Sequence, residues 1–167
     1  LSITTTGTTT GTSGYGISAT NSRGTDLTIN AAETEGGVHG IFARNFGIGA
    51  LSITTTGTTT GTDGDGIRAV NKGTGALSIT TTGTTTGTTK DGIYAYNKST
   101  GTSLTINAAT TTGGVHGIRA KNYGEGALSI TTTGTTTGET KDGIYAYNEG
   151  TSLTINAATT TGGRHGI

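Results

Sequence analysis

The chain has 167 residues but no cysteine, proline, methionine or tryptophan, and only 29% of it is hydrophobic. Without cysteine there are no disulfides and no thiolate metal sites, so order must come from packing and hydrogen bonds. So little apolar surface excludes an ordinary layered core, and no apolar run approaches the roughly 20 residues that cross a bilayer as a helix. Charge is scarce as well. Ten basic and ten acidic residues cancel, which argues against a nucleic-acid partner. It also argues against disorder, because disordered chains of low hydrophobicity ordinarily carry proline and net charge. Nothing at Leu1 has the pattern of a signal peptide, and a chain without methionine is expected to be a slice of a longer array.

Threonine and glycine are abundant, and they come in repeats. "LSITTTGTTTG" begins at Leu1, Leu51, Leu77 and Leu128, and a shorter "LTINAA" begins at Leu27, Leu104 and Leu153. Placing each Leu-x-Ile at the head of a unit gives coils starting at 1, 27, 51, 77, 104, 128 and 153, with lengths of 24 to 27 residues. The short type matches the long one when a glycine between the Thr triplets and one later turn residue are deleted. A tail of the form Ile-x-Ala-x-Asn follows in six coils, from "ISATN" at Ile17 to "IYAYN" at Ile144.

Repeats of this length point to a solenoid. Alternation at period two makes each segment a strand with one face in and one out, and runs of Thr and Gly exclude a helical reading. The expected fold is all-β: a right-handed parallel β-helix of about seven coils, three short strands per coil, over a single fragment spanning 1–167. The right hand follows from the general hand of parallel crossovers. Leu1, Ile3, Thr5, Thr9, Ile17 and Ala19 point inward in the first coil, and their counterparts stack on them about 4.8 Å apart. Each coil buries too little alone, but a stack makes continuous ladders. Glycines such as Gly16, Gly40 and Gly66 are expected to turn a corner with positive φ. Asn21, Asn45, Asn71, Asn97, Asn122 and Asn148 are expected at the other corner, as a structural ladder that tolerates the left-handed region.

The alternation of "LSITTTGTTTGTDGDGI" with "LTINAATTTGGVHGI" and the connecting "YAYN" resembles the repetitive passenger region of bacterial autotransporter and haemagglutinin-like surface adhesins, over the whole chain. The resemblance implies display outside a Gram-negative outer membrane and covers adhesins, spacers and enzymes alike, so function has to be read from sites.

Four groups of residues are candidates. His39, His116 and His165 share one place in the short coils, two or three coils and so about 10 to 14 Å apart. They cannot converge on one ion, and a turn-stabilising role is expected. Asp65, Asp91 and Asp142 hold the matching place in the long coils, with Asp63 nearby and Lys90 and Lys141 as compensating charges. No catalytic residue, metal or cofactor is expected from them. The third strand turns outward Phe42 and Arg44, Arg68 and Val70, Tyr94 and Tyr96, Arg119 and Lys121, Tyr145 and Tyr147. Aromatic and basic rungs in contact permit cation-π pairs, so this strip either binds a glycan or acidic surface or stabilises its own sheet. The second strand turns outward the pairs Thr8/Thr10, Thr58/Thr60, Thr84/Thr86, Thr110/Thr112, Thr135/Thr137 and Thr159/Thr161, interrupted at Glu33 and Glu35. Such rows resemble the ice-binding faces of antifreeze proteins, while threonine is also simply a good strand residue.

The function expected from the sequence is a non-enzymatic, extracellular structural or adhesive rod on a bacterial cell surface, with ice binding as the alternative. Its partners would be copies of itself, end to end or side by side, and host-cell or glycan surfaces. No nucleic acid or membrane span enters.

Overall fold

A computed structural model describes all residues 1–167 as an all-β solenoid of parallel strands. It has six complete turns and two faces of a seventh, which ends after the strand Leu153–Gly162. The outward-turning tails form a six-stranded sheet of their own, and the other two faces share a ten-stranded sheet. No helix is long and apolar enough to cross a membrane.

Like residues stack on like. Leu27, Leu51, Leu77, Leu104, Leu128 and Leu153 pair in register, and so do Ile29, Ile53, Ile79, Ile106, Ile130 and Ile155. Ile and Ala of the third face do the same. These ladders make up most of one core of 23 buried residues, with Leu153 exposed and Ile155 partly buried at the last coil. Each rung contributes only a Leu, two Ile and one or two Ala, so a coil is stable only between neighbours.

Three separate strands per coil are found in the middle of the stack, for example Leu51–Thr55, Thr59–Gly61 and Ile67–Asn71. In the first, second, sixth and seventh coils the first two strands instead run through the corner as one, as in Ser2–Gly11 and Leu128–Gly138. There the extra residue of the long coil is taken up as a shift in pairing between Thr5 and Thr8, and between Thr132 and Thr135. A bulge of this kind bends a strand without ending it.

The glycine corner has a different cause from the one expected. No residue, glycine or otherwise, has positive φ. A Cβ on Gly66 would lie 2.7 Å from the carbonyl oxygen of Gly92 and 2.8 Å from Cγ2 of Thr85, and Gly40 and Gly92 are crowded in the same way. Glycine is required there because the next coil's backbone and the methyl of its middle threonine occupy the space. Those threonines, including Thr59, Thr85, Thr111 and Thr136, are fully buried. Thr34 donates to Thr59 at 3.2 Å, but the hydroxyls of Thr85, Thr111 and Thr136 find no partner. Inside the solenoid, threonine therefore acts mainly through its methyl group and its preference for strands.

Candidate functional site

The asparagines form the expected ladder. Nδ2 of Asn21, Asn45, Asn71, Asn97 and Asn122 donates in turn to Oδ1 of the next asparagine at 2.8 to 3.0 Å, ending on Asn148. Asn71 shows the complete pattern. It also donates to the Gly75 carbonyl at 2.8 Å and accepts the Gly73 amide at 3.3 Å, so both donor hydrogens and both acceptor sites of its amide are used. The chain follows this turn without entering the left-handed region, so the amide's reach, and not its tolerance of that region, is what the corner uses.

The opposite corner holds a second column, built from the histidines and aspartates that share one place in the repeat. His39, Asp65, Asp91, His116, Asp142 and His165 occupy successive coils. The carbonyls of His39, Asp65, Asp91, His116, Asp142 and His165 each accept the amide of a glycine one coil below, Gly16 through Gly143. Side chains link the coils as well. The Asp65 carboxylate accepts the Asp91 amide at 3.0 Å, and the Asp91 carboxylate accepts the His116 amide at 3.1 Å and contacts its Nδ1 at 2.9 Å. Nε2 of His116 lies 3.6 Å from Asp142, and Nδ1 of His165 lies 3.0 Å from it. The cations facing these carboxylates are Arg68, Arg119 and Arg164 at 3.1, 3.9 and 3.1 Å. Lys90 and Lys141, expected as the compensating charges, have no carboxylate within 4.0 Å.

Burial pushes the Asp65 carboxyl above its ordinary range, against the pull of the Asp91 amide and Arg68. The Arg164 guanidinium holds the Asp142 carboxyl below its usual range. Burial also lowers the pKa of His39, whose Nδ1 accepts the Asp65 amide at 2.8 Å. That acceptor role requires the neutral ring. No three His, Cys, Asp or Glu side chains converge in a way that would hold a metal ion. Asp65, Asp91 and Asp142 are 3 to 4% exposed; the first two cap an amide of the next coil, and Asp142 accepts from Arg164 and contacts the His165 ring. Their geometry is that of a corner clip.

Beside this corner runs the third face. Its outward residues stack as Ser18, Phe42, Arg68, Tyr94, Arg119 and Tyr145, and as Thr20, Arg44, Val70, Tyr96, Lys121 and Tyr147. The expected cation-π contacts are present: Arg68 and Arg119 lie over Tyr94 at 4.4 and 5.5 Å, and Lys121 over Tyr145 at 6.0 Å. Tyr123, from the asparagine turn, sits between Tyr96 and Tyr147 at 5.4 and 5.3 Å and extends the aromatic surface round the corner. Tyr147 donates to Glu149 at 2.7 Å.

On the second face Thr60, Thr86, Thr112, Thr137 and Thr161 stand in one paired row with Glu35 and Thr10. Thr8 donates to Glu33 at 2.8 Å. Thr58, Thr84 and Thr110 each accept an amide from the coil before, and Thr135 pairs with Thr159. The short coils leave a mark of their own. Where Ala32 and Ala109 replace the threonines of the long coils, hollows of about 300 Å³ open at the corner between the first two faces.

In comparisons with known proteins, no family model, curated protein or solved structure matches the chain.

Proposed function

We propose that this chain is a non-enzymatic segment of an extracellular rod, a stiff stalk that presents repeated faces at a bacterial surface and adheres through the third. The observation that carries this reading is the stacking of the inward Leu and Ile ladders in register through six turns, while the outward positions of the third face vary from coil to coil. A stack in which each coil is clamped by asparagine amides and packed to its neighbours has no hinge. Its ends can stack on further coils or copies, and its aromatic and basic third face suits a host-cell or glycan surface. The resemblance to autotransporter passenger repeats points the same way.

Two measurements test it. Small-angle scattering of the chain should give a rod about 30 Å long, from coils about 4.8 Å apart, and a flexible or collapsed particle would refute the stalk. Beads coated with the chain should adhere to glycan-bearing cells, and Tyr94→Ala/Tyr96→Ala should reduce adhesion. Equal adhesion of the two proteins would remove the third face from this role.

The threonine grid favours a second reading, ice binding. From the third coil onward five successive Thr-x-Thr rungs are uninterrupted, Glu33 and Glu35 being confined to the second coil. Thermal hysteresis in concentrated solutions of the chain would support it, and its complete absence would end it.

A further inference from the structure

The third face is not uniform along its length. In the column that runs from Arg44 through Val70 to Tyr96, Val70 is the smallest side chain, and it stands directly between the other two in the strand pairing. The result is a hollow of about 390 Å³ with Val70 in its lining, Phe42 and Tyr96 supplying aromatic surface, and Arg44, Arg68 and Lys72 supplying charge. That volume is within the range of small-ligand sites.

The charges in it are unequal. Arg68 is engaged with Asp65 at 3.1 Å. Arg44 and Lys72 have no carboxylate within 4.0 Å. Each instead lies over a ring, Arg44 over Phe42 at 4.9 Å and Lys72 over Phe46 at 5.2 Å. Both are exposed. Ring contacts orient these cations without neutralising them, because a ring quadrupole carries no net charge. The turn column behind them runs Phe46, Lys72, Lys98, Tyr123, Glu149, stacked by successive backbone bonds. It is basic beside the hollow and acidic beyond it, where Glu149 holds Tyr147.

We propose that the hollow over Val70 binds an anionic sugar unit of a polysaccharide, a hexuronate or a sulfated hexose. Phe42 and Tyr96 would pack on the apolar faces of the sugar, the Arg44 guanidinium would pair with the acid through its planar fork, and Lys72 would add a point charge. This assignment rests on the adhesive reading above and makes it specific in place and in charge.

Calorimetric titration of the whole chain tests it. The probes are an unbranched hexuronate tetrasaccharide, a sulfated tetrasaccharide, the carboxyl-reduced neutral form of the first, and a short poly(dT) strand. At least one acidic sugar should bind, and the neutral form at least about tenfold more weakly. Arg44→Ala/Lys72→Ala should lower the affinity about tenfold or more. Val70→Trp, which fills the hollow from an outward position, should abolish binding. Lys141→Ala, an exposed cation at the Asp/His corner away from the hollow, should leave it unchanged. Melting curves confirm that each variant is folded. Equal affinity for the neutral sugar would overturn the anionic assignment while leaving adhesion standing. Equal affinity for poly(dT), an unaffected Val70→Trp, or no binding of either acidic sugar would overturn the site, and in the last case the stalk is still judged separately by its length in scattering.

Discussion

The two polar corners of this solenoid solve one problem in different ways. Both must hold successive coils together where the strands end. At the asparagine corner six identical side chains are joined by five successive bonds between neutral amides. At the other, His and Asp alternate irregularly and hold the coils through carboxylate caps and imidazole contacts. A ladder of one neutral residue can be extended through any number of coils without accumulating charge. A column of buried acids cannot, since stacked carboxylates repel one another, and here histidines and arginines intervene. The asparagine corner thus joins coils without adding charge, and the Asp/His corner is where pH and the charged third face reach the backbone.

Substitutions can break or sharpen that contrast. The largest effect is expected where the Asp/His corner meets the core. A Cβ at Gly92 would lie 2.6 Å from the Gly117 carbonyl oxygen, whereas one at Gly7 meets nothing within 4 Å. Gly92→Ala should cost about 3 kcal/mol or more in urea unfolding, as overpacking does, and Gly7→Ala should cost nothing measurable. Next comes the asparagine corner. Asn97→Ala removes the bonds with Asn71 and Asn122 and leaves one buried donor hydrogen of Asn71 and one acceptor site of Asn122 without a partner, so a loss of about 3 kcal/mol is expected. Asp91→Asn is milder. It keeps an oxygen for the His116 amide and gives up the carboxylate charge beside Arg119, which should cost about 1 kcal/mol. If Asp91→Asn proved as damaging as Asn97→Ala, the contrast between the corners would be wrong.

The smallest effect is the response to mild acid. Burial lowers the pKa of His39 in the folded chain, so the unfolded chain binds the proton more readily. Stability should therefore fall as pH drops from about 6.5 toward the folded value. His39→Gln should flatten that slope in melting curves taken between neutrality and mild acid. Asp142 acts in a lower window. Its folded pKa is depressed by Arg164, so its contribution is present above the unfolded carboxylate range and lost as pH falls through the folded value. Asp65 opposes it, since its raised pKa favours the folded state as the carboxyl takes up a proton.

These corners also show what could be read from sequence and why. The asparagine ladder was legible because one residue type recurs at one place, and the inward Leu, Ile and Ala were legible because strands have a period of two. The shared place of His39, Asp65 and their counterparts was legible as well, once the short coils were aligned by deleting one turn residue from the long ones, but the bonds between them were not. Those bonds run from carboxylates to amides and rings of the next coil, and nothing within one coil signals them. Pairing was misread for a related reason. Lys90 adjoins Asp91 in sequence, but the charges that reach the aspartates are arginines: Arg68 and Arg119 on the outward strand, where Arg68 lies three residues past Asp65, and Arg164 in the last turn. The glycine corner was located correctly and explained wrongly, because crowding by the next coil is a property of the stack and leaves no local signal. The hollow at Val70 likewise exists only once three coils are laid side by side.

The contrast is tested most directly at single amides. The Asp65 amide donates to the neutral ring of His39, while the Lys98 and Tyr123 amides donate to the Asn71 and Asn97 carbonyls. Hydrogen exchange followed by NMR at neutral and at mildly acidic pH, corrected for the intrinsic rate, should show the Asp65 amide losing protection in acid and the other two keeping theirs. Unchanged protection at Asp65, or a parallel loss at Lys98 and Tyr123, would contradict the assignment of a titrating corner and an inert one.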